Sequence, residues 1–301
     1  MSTQPGTLVI GAVMADIVCE VPHLPKRGMG VAATSTRMSV GGCAFNTASA
    51  IVRSGGTCKL VAPIGQGRYA EFLAHELEAR GFSPMRVETA LDCGACICLV
   101  EPSGERPMIT LPGVERHFGS SWFDALETSG FAYAIVTAFE LCGPGGSAIV
   151  GFLEEHPELT LIYAPGPLFA DVAPELMARI DTLHPIWHLN DDEVMAITGE
   201  PDVLTAGIAL CERAGNAVIV TAGADGAWAF TRPDANAEPV CEHVPAQAIE
   251  VGDTIGAGDS HVGAFAAALC DGAPLRDALA LANRIAAEVC QHAGAVPANN
   301  A

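Results

Sequence analysis

Short apolar runs bounded by glycine or polar residues recur along the chain. Leu8 to Val13 is the first, followed by KLVAPIG (59–65), AYAIVT (132–137), TLIYAP (160–165), IWHLN (186–190) and AVIVTAG (217–223). Their length and flanking glycines predict buried strands. Between them lie stretches with apolar residues at helical spacing: AFNTASAIVRSG, YAEFLAHELEARG, GSAIVGFLEEH, DDEVMAITG, DVLTAGIALCERAG and the run from Pro274 to about His292. Strand alternating with helix predicts an α/β fold, a mostly parallel sheet covered by helices on both faces. Such sheets bind ligands beyond the carboxyl ends of their strands.

Two stretches break the alternation. Residues 16–40 and 93–112 read as strands with turns and contain no good helix, and Pro102-Ser103-Gly104-Glu105 is a hairpin signal between apolar runs. They predict a small separate sheet, a β lid, over the mouth of a main domain made of 1–15, 41–92 and 113–301. Surface hairpins without function are the plainer alternative.

The composition is globular: 50% of the 301 residues are hydrophobic and 17% charged, so disorder is expected only in the first few residues and the ANNA tail. A formal charge of -20 argues against nucleic acid or an anionic membrane as partner. No run has the length of a membrane span, and MSTQPG lacks the basic flank of a signal peptide, which predicts a cytoplasmic protein. The eleven scattered cysteines read as small buried hydrophobes. Cys93, Cys96 and Cys98 form their one cluster, without the second ligand pair of a zinc site, and Cys96 and Cys98 fit one face of a strand.

The residues able to carry chemistry lie after strands. Asp16 follows the first strand, where a carboxylate accepts hydrogen bonds from vicinal hydroxyls or merely closes a turn. Gly41-Gly42-Cys43-Ala44-Phe45-Asn46 opens a helix with paired glycines and an amide. Asn190-Asp191-Asp192-Glu193 is a capping box, or a set of oxygen ligands able to hold magnesium through water. Thr221-Ala222-Gly223-Ala224-Asp225-Gly226 is open to two readings, a strand-turn-strand or a wall for a nucleotide. The sharpest stretch is DTIGAGDSHVGAF (253–265). Val262, Phe265, Ala266 and Leu269 give its helix a core face, so Gly256, Ala257 and Gly258 fall at the helix start, where free N–H groups gather an anion. The stretch has no P-loop lysine and lies too late in the chain for a dinucleotide fingerprint. Asp259 puts a carboxylate beside this cradle. It is either a cap or a general base set next to the place where a transferring phosphoryl group carries its charge.

DTIGAGDSHVGAF, taken with GGCAFN, NDDE and TAGADGAW in this order from LVIGAVMADIV to ANRIAAEVCQHAGA, resembles the ribokinase (PfkB) family of carbohydrate kinases. The resemblance implies a three-layer αβα ribokinase-like fold with a β lid that often mediates dimerisation, hence a homodimer. It implies an ATP-dependent phosphotransferase acting on a hydroxymethyl group of a sugar or sugar derivative. Asp259 matches the catalytic base and Gly256, Ala257 and Gly258 the anion hole. Asp16, Gly41, Gly42 and Asn46 match sugar-binding positions. Asn190 and Glu193 match the element that organises magnesium and phosphate, Glu193 reaching the metal through water. Thr221, Gly223, Gly226 and Asn283 fall along the adenosine site, and Asp253 where members help to hold a monovalent cation, which implies activation by K+. ATP and Mg2+ are the other cofactors implied. The sequence also departs from the family: PIGQG replaces a glycine-x-aspartate pattern, Tyr163-Ala164-Pro165 lacks an aspartate, and Cys43 stands in place of a lysine. GGCAFN, PIGQG and LVEPSGERP are most similar to a sparsely characterised sugar-kinase branch, so ribose is not carried over as the substrate. A nucleoside kinase for adenosine-like or pseudouridine-like acceptors, with Met14, Cys43 and Phe45 in an apolar pocket, is the alternative within the family. A non-catalytic sugar- or nucleotide-binding regulator is the alternative outside it.

Overall fold

The computed structural model describes residues 4–103, 106–234, 237–292 and 294–296. The expected disordered ends, apart from Gln4 and the residues just after it, and Gly104 and Glu105 of the hairpin signal lie outside the described residues. In chain order the strands are β1 (Gly6–Ile10), β2 (Met14–Glu20), β3 (Ser35–Gly41), β4 (Cys58–Val61), β5 (Pro63–Ile64), β6 (Met85–Arg86), β7 (Ala95–Val100), β8 (Met108–Leu111), β9 (Phe131–Thr137), β10 (Thr160–Ala164), β11 (Ile186–Asn190), β12 (Val218–Thr221), β13 (Ala227–Thr231) and β14 (Val240–Val244). The helices are α1 (Cys43–Arg53), α2 (Arg68–Ala79), α3 (Ala138–Leu141), α4 (Gly146–Glu155), α5 (Pro174–Thr182), α6 (Asp191–Thr198), α7 (Val203–Ala214), α8 (Ala257–Cys270) and α9 (Leu275–Cys290).

The main sheet runs β14-β13-β12-β11-β10-β9-β1-β4. It is parallel from β4 to β12 and antiparallel at β12/β13 and β13/β14. Each central strand feeds two cores, because successive side chains point to opposite faces. Val9, Ile135, Ile162 and Ile219 enter the core that holds residues of α1, α2, α8 and α9. Their neighbours Leu8, Ile10, Ala134, Val136, Leu161, Tyr163, Val218 and Val220 enter the other, with residues of α4 to α7. Strands buried on both faces read as unbroken apolar runs, which is why the pattern located them. α3, α5 and β14 are additions to the expected elements, and β12 and β13 realise the strand-turn-strand alternative at 221–226.

The second sheet runs β3-β2-β7-β8 and is drawn from the two stretches that break the alternation. Its register gives it two unlike faces. Ile17 is flanked by Met38 and Ile97, and Ile97 by Ile109, on a row that also holds Ala15, Val40, Ala95 and Leu111. The opposite face carries Asp16, Ser39, Cys96 and Thr110 along one row and Arg37, Val18, Cys98 and Met108 along the next.

α8 crosses α1 at close range because position 263 has no side chain. A Cβ on Gly263 would lie 2.5 Å from the Thr47 carbonyl oxygen and 2.9 Å from the Ala50 Cβ. One turn earlier on α8 stands Asp259, and one residue earlier on α1 stands Asn46.

Candidate active site

Gly256, in the left-handed region at φ 75°, caps α8, and the helix proper begins at Ala257. Ala257 N–H turns back to Thr254 O (3.2 Å) and Ser260 N–H reaches Gly256 O (2.8 Å). The N–H groups of Gly258 and Asp259 fall between them, in the first turn, where a helix supplies no acceptor. Gly258 faces open space. Anion donors and the Asp259 carboxylate therefore share one turn of one helix.

Asp259 is held from α1. Asn46 Nδ2 donates to Asp259 Oδ2 at 2.9 Å. Asn46 is buried, and its Oδ1 has no hydrogen-bond partner. A buried acceptor without a donor is costly, so it marks a place for a ligand donor. Burial pushes the Asp259 carboxyl up, while Asn46 and the Cys43 thiol beside it pull it down. Asp16 faces the same place from β2. Its carboxyl is raised to about 6 by burial and then by repulsion from Asp259. Gly41 and Gly42 are needed for this convergence. Any Cβ at 41 would collide with the Asp16 carboxylate, and Gly42 sits at φ 97° with the Ala12 carbonyl where a Cβ would be. Asp16, Gly41, Gly42, Asn46 and Asp259 thus form one cluster, with Cys43 in it.

Beneath the cluster lies Glu140, which the sequence reading did not single out. It is fully buried, accepts from Ala12 N–H (2.7 Å) and from Thr137 Oγ1 (2.6 Å), and burial raises its carboxyl to about 7. Its signal was a lone carboxylate in TAFEL directly after a strand. Two histidines were missed as well. His188 Nε2 and His261 Nδ1 are 2.7 Å apart, and His261 Nε2 is 3.0 Å from Asn283 Oδ1. Asn283 Nδ2 donates to Val244 O (2.9 Å), which leaves its Oδ1 as the acceptor. His261 therefore donates through Nε2 and accepts from His188 through Nδ1. Both rings stay neutral, because burial lowers His188 well below its usual range and His261 to about 4. This chain fastens α8, two residues past Asp259, to β11, two residues before Asn190.

The remaining predicted residues lie around the ends of β11 and β12 and in the interior behind them, with differences. Asn190 and Glu193 make a reciprocal capping box on α6: Glu193 N–H donates to Asn190 Oδ1 (2.8 Å) and Asn190 N–H to Glu193 Oε2 (3.1 Å). Burial raises the Glu193 carboxyl, and the neighbouring Asp191 and Asp192 add to this. Thr221 pairs with Asn190 across β11/β12, so both end their strands side by side. Gly223 is exposed at φ 52° with open space around it. Gly226 is different: it turns the chain from β12 into β13 at φ 99° and is packed on the Val244–Ala246 backbone. Asn283 is also different, since its amide is engaged in the interior with His261, Val244 and Pro245. Neither faces open space beside Thr221 and Gly223.

Asp253 departs most from expectation. Its carboxylate accepts from Ile255 N–H (3.1 Å), Gly294 N–H (2.8 Å) and Arg106 Nη1 (2.6 Å). Although burial raises its carboxyl, these donors hold it below the ordinary value. Among the described residues no group of three His, Cys, Asp or Glu side chains is placed to hold a metal directly. Cys96 and Cys98 lie with Sγ atoms 3.8 Å apart, as thiols. The PIGQG departure has a compensation. The carboxylate of Asp92 occupies the space where a side chain at Gly67 would stand, and it accepts from Tyr69 N–H (3.2 Å) and Ala70 N–H (2.8 Å) at the start of α2.

The family model described as pfkB family carbohydrate kinase matches residues 5–301. An uncharacterised sugar kinase, YegV, of Escherichia coli is 33% identical over 300 residues, covering 98% of this chain and 91% of the relative. Mouse ribokinase is 27% identical over 267 residues, covering 86% and 80%. Among solved structures, ribokinase from Thermotoga maritima superposes with a TM-score of 0.84 at 23% identity, covering 98% and 96%. With the sheet order, the lid-like second sheet and the GAGD turn on α8, these matches establish that the chain belongs to the pfkB family of carbohydrate kinases and is an ATP-dependent kinase with the ribokinase-like fold.

Proposed function

We propose that the protein transfers the γ-phosphoryl group of ATP to a hydroxymethyl group of a sugar or sugar derivative, with Asp259 as general base. The observation that carries this reading is the Asn46–Asp259 bond, with Asn46 Oδ1 buried and unpartnered beside it. An acceptor hydroxyl donating to Asn46 Oδ1 lies within reach of the Asp259 carboxylate. Asp16 serves a pair of further hydroxyls. Asp259 takes the hydroxyl proton as the new O–P bond forms and the bond to the ADP oxygen breaks. The N–H groups of Gly258 and Asp259, with the positive end of α8, stabilise the charge on the transferring group.

The nucleotide lies across Thr221 and Gly223 with its phosphates toward α6 and α8. The donor set there fits a hydrated magnesium ion: the capping box uses Oε2 of Glu193 and leaves Oε1, a hard oxygen, for a metal-bound water. Neutralising phosphate charge is the chemistry that ion supplies when bound. The second sheet acts as the lid that keeps water out. Its apolar face, with Met38, Ile109 and Leu111 exposed, serves as a homodimer surface. Eleven free thiols fit a reducing, cytoplasmic setting.

The test is a coupled ADP-release screen over pentoses, hexoses, sugar acids and nucleosides, repeated with Asp259→Asn. Turnover on the best acceptor should fall about 10²–10⁴-fold in the variant. ATP affinity, measured by titration calorimetry, should change little. Near-normal turnover of Asp259→Asn would overturn the assignment of the base.

A further inference from the structure

The family resemblance places a monovalent cation on Asp253, and the residues around Asp253 do not fit one. The carboxylate is already surrounded by donors: two backbone N–H groups and a guanidinium at 2.6 Å. The Arg106–Asp253 pair leaves 20% and 7% of its side chains exposed. The Arg53–Glu288 and Arg80–Glu76 pairs are more exposed on both sides, at 29% and 42% and at 35% and 24%. A second full positive charge on the same carboxylate would be repelled by Arg106 at close range. Arg106 differs from the two N–H donors in being a side chain brought from a distant part of the sequence. It enters from the segment between β7 and β8 of the second sheet and crosses to the segment that leads into Gly256.

We propose that Arg106 takes the place of the monovalent cation, fixing Asp253 and with it the 253–256 approach to the anion hole, so that the protein works without potassium. Asp253 is the hub. Through Ile255 N–H it shapes the turn before Gly256, through Gly294 N–H it holds the chain beyond α9, and through Arg106 it holds the second sheet. Ala295 packs against Gly256 on that same segment beyond α9. Arg106 is thus a positioning residue. It acts on the phosphate-binding turn through Asp253 rather than on the reacting atoms.

This inference rests on the kinase reading for its activity readout only. Thermal unfolding and hydrogen exchange of residues 251–258 are compared in potassium chloride and in choline chloride at equal ionic strength, for the unaltered protein, Arg106→Ala and Arg106→Lys. The unaltered protein should give the same melting temperature and exchange in both salts. Arg106→Ala should exchange faster at 251–258 and melt lower, and potassium but not choline should recover part of both. Arg106→Lys should lie near the unaltered protein. Where turnover is measurable, Arg106→Ala should lower kcat by about tenfold or more, with the KM for ATP nearly unchanged. Potassium-dependent melting or exchange of the unaltered protein would overturn the proposal, as would Arg106→Ala exchanging like the unaltered protein at 251–258. Failure to phosphorylate any acceptor would count against the proposed acceptor class alone and leave this comparison standing.

Discussion

Three carboxylates, Asp16, Asp259 and Glu140, crowd one end of the molecule, and each is raised by burial before anything else. Glu140 is the most isolated from solvent and makes a prediction of its own. Its folded value, about 7, lies above the ordinary 4.5, so the folded state holds the proton more tightly than the unfolded chain. The resulting stability is fully present below pH 4.5 and is lost as the pH rises through about 7. The loss is on the order of 3 kcal/mol, from 1.36 kcal/mol per unit. Glutamine at this position keeps an acceptor for Ala12 N–H and has no proton to lose. Urea unfolding of Glu140→Gln between pH 5 and 8 should therefore show a flatter stability profile than the unaltered protein. An identical slope in both would remove Glu140 as its source.

At the scale of elements, the α1–α8 crossing sets the distance between Asn46 and Asp259. Gly263→Ala inserts a methyl group where 2.5 Å separates the built Cβ position from the Thr47 carbonyl oxygen, so the helices must part. The overpacking should cost about 1–3 kcal/mol in denaturant unfolding. Turnover should fall further than ATP affinity, because Asp259 leaves Asn46 while the first turn of α8 stays intact. A variant of lowered stability and unchanged turnover would show that the crossing does not position the base. The strands and helices that build this crossing were legible because they are long and periodic, or apolar on both faces. α3 is a single turn without a period, and α5 follows a short 3-10 turn, its opening Pro174 and Glu175 being its one sequence signal. The site divides the same way. GAGD and GGCAFN announce themselves by their glycines, which only backbone geometry requires. Glu140, the His188–His261 pair and Arg106 each read as an ordinary residue until a partner distant in sequence is seen beside it. Asn283 and Gly226 show the converse: both lie in a meaningful motif, yet the fold spends them on its own interior.

For the whole molecule, the second sheet is the element on which the proposed lid and the proposed homodimer both depend. Its Ile17, Ile97 and Ile109 row is apolar and partly open to solvent, on a chain whose formal charge of -20 otherwise keeps copies apart. If two copies cover this row against each other, Ile97→Asp with Ile109→Asp should yield a monomer by sedimentation or light scattering, with the circular dichroism of the main domain unchanged. A monomeric unaltered protein would dispose of the homodimer.

The strands of that sheet carry two messages in alternating letters. On β2, Asp16 and Val18 belong to the polar-edged face that brings Asp16 near Asp259, and Ala15 and Ile17 to the apolar face, which is buried at Ala15 and opens to solvent at Met38 and Ile109; β7 interleaves Cys96 and Cys98 with Ala95 and Ile97 in the same way. Point substitutions can rewrite one message and leave the other intact, so an acceptor contact on one face and a self-association contact on the other would be free to diverge separately between related chains. A single-residue insertion or deletion has no such freedom. It exchanges the two faces at once, putting isoleucine beside Asp259 and aspartate on the apolar face. Relatives with different acceptors should differ here by replacement, with strand lengths held constant.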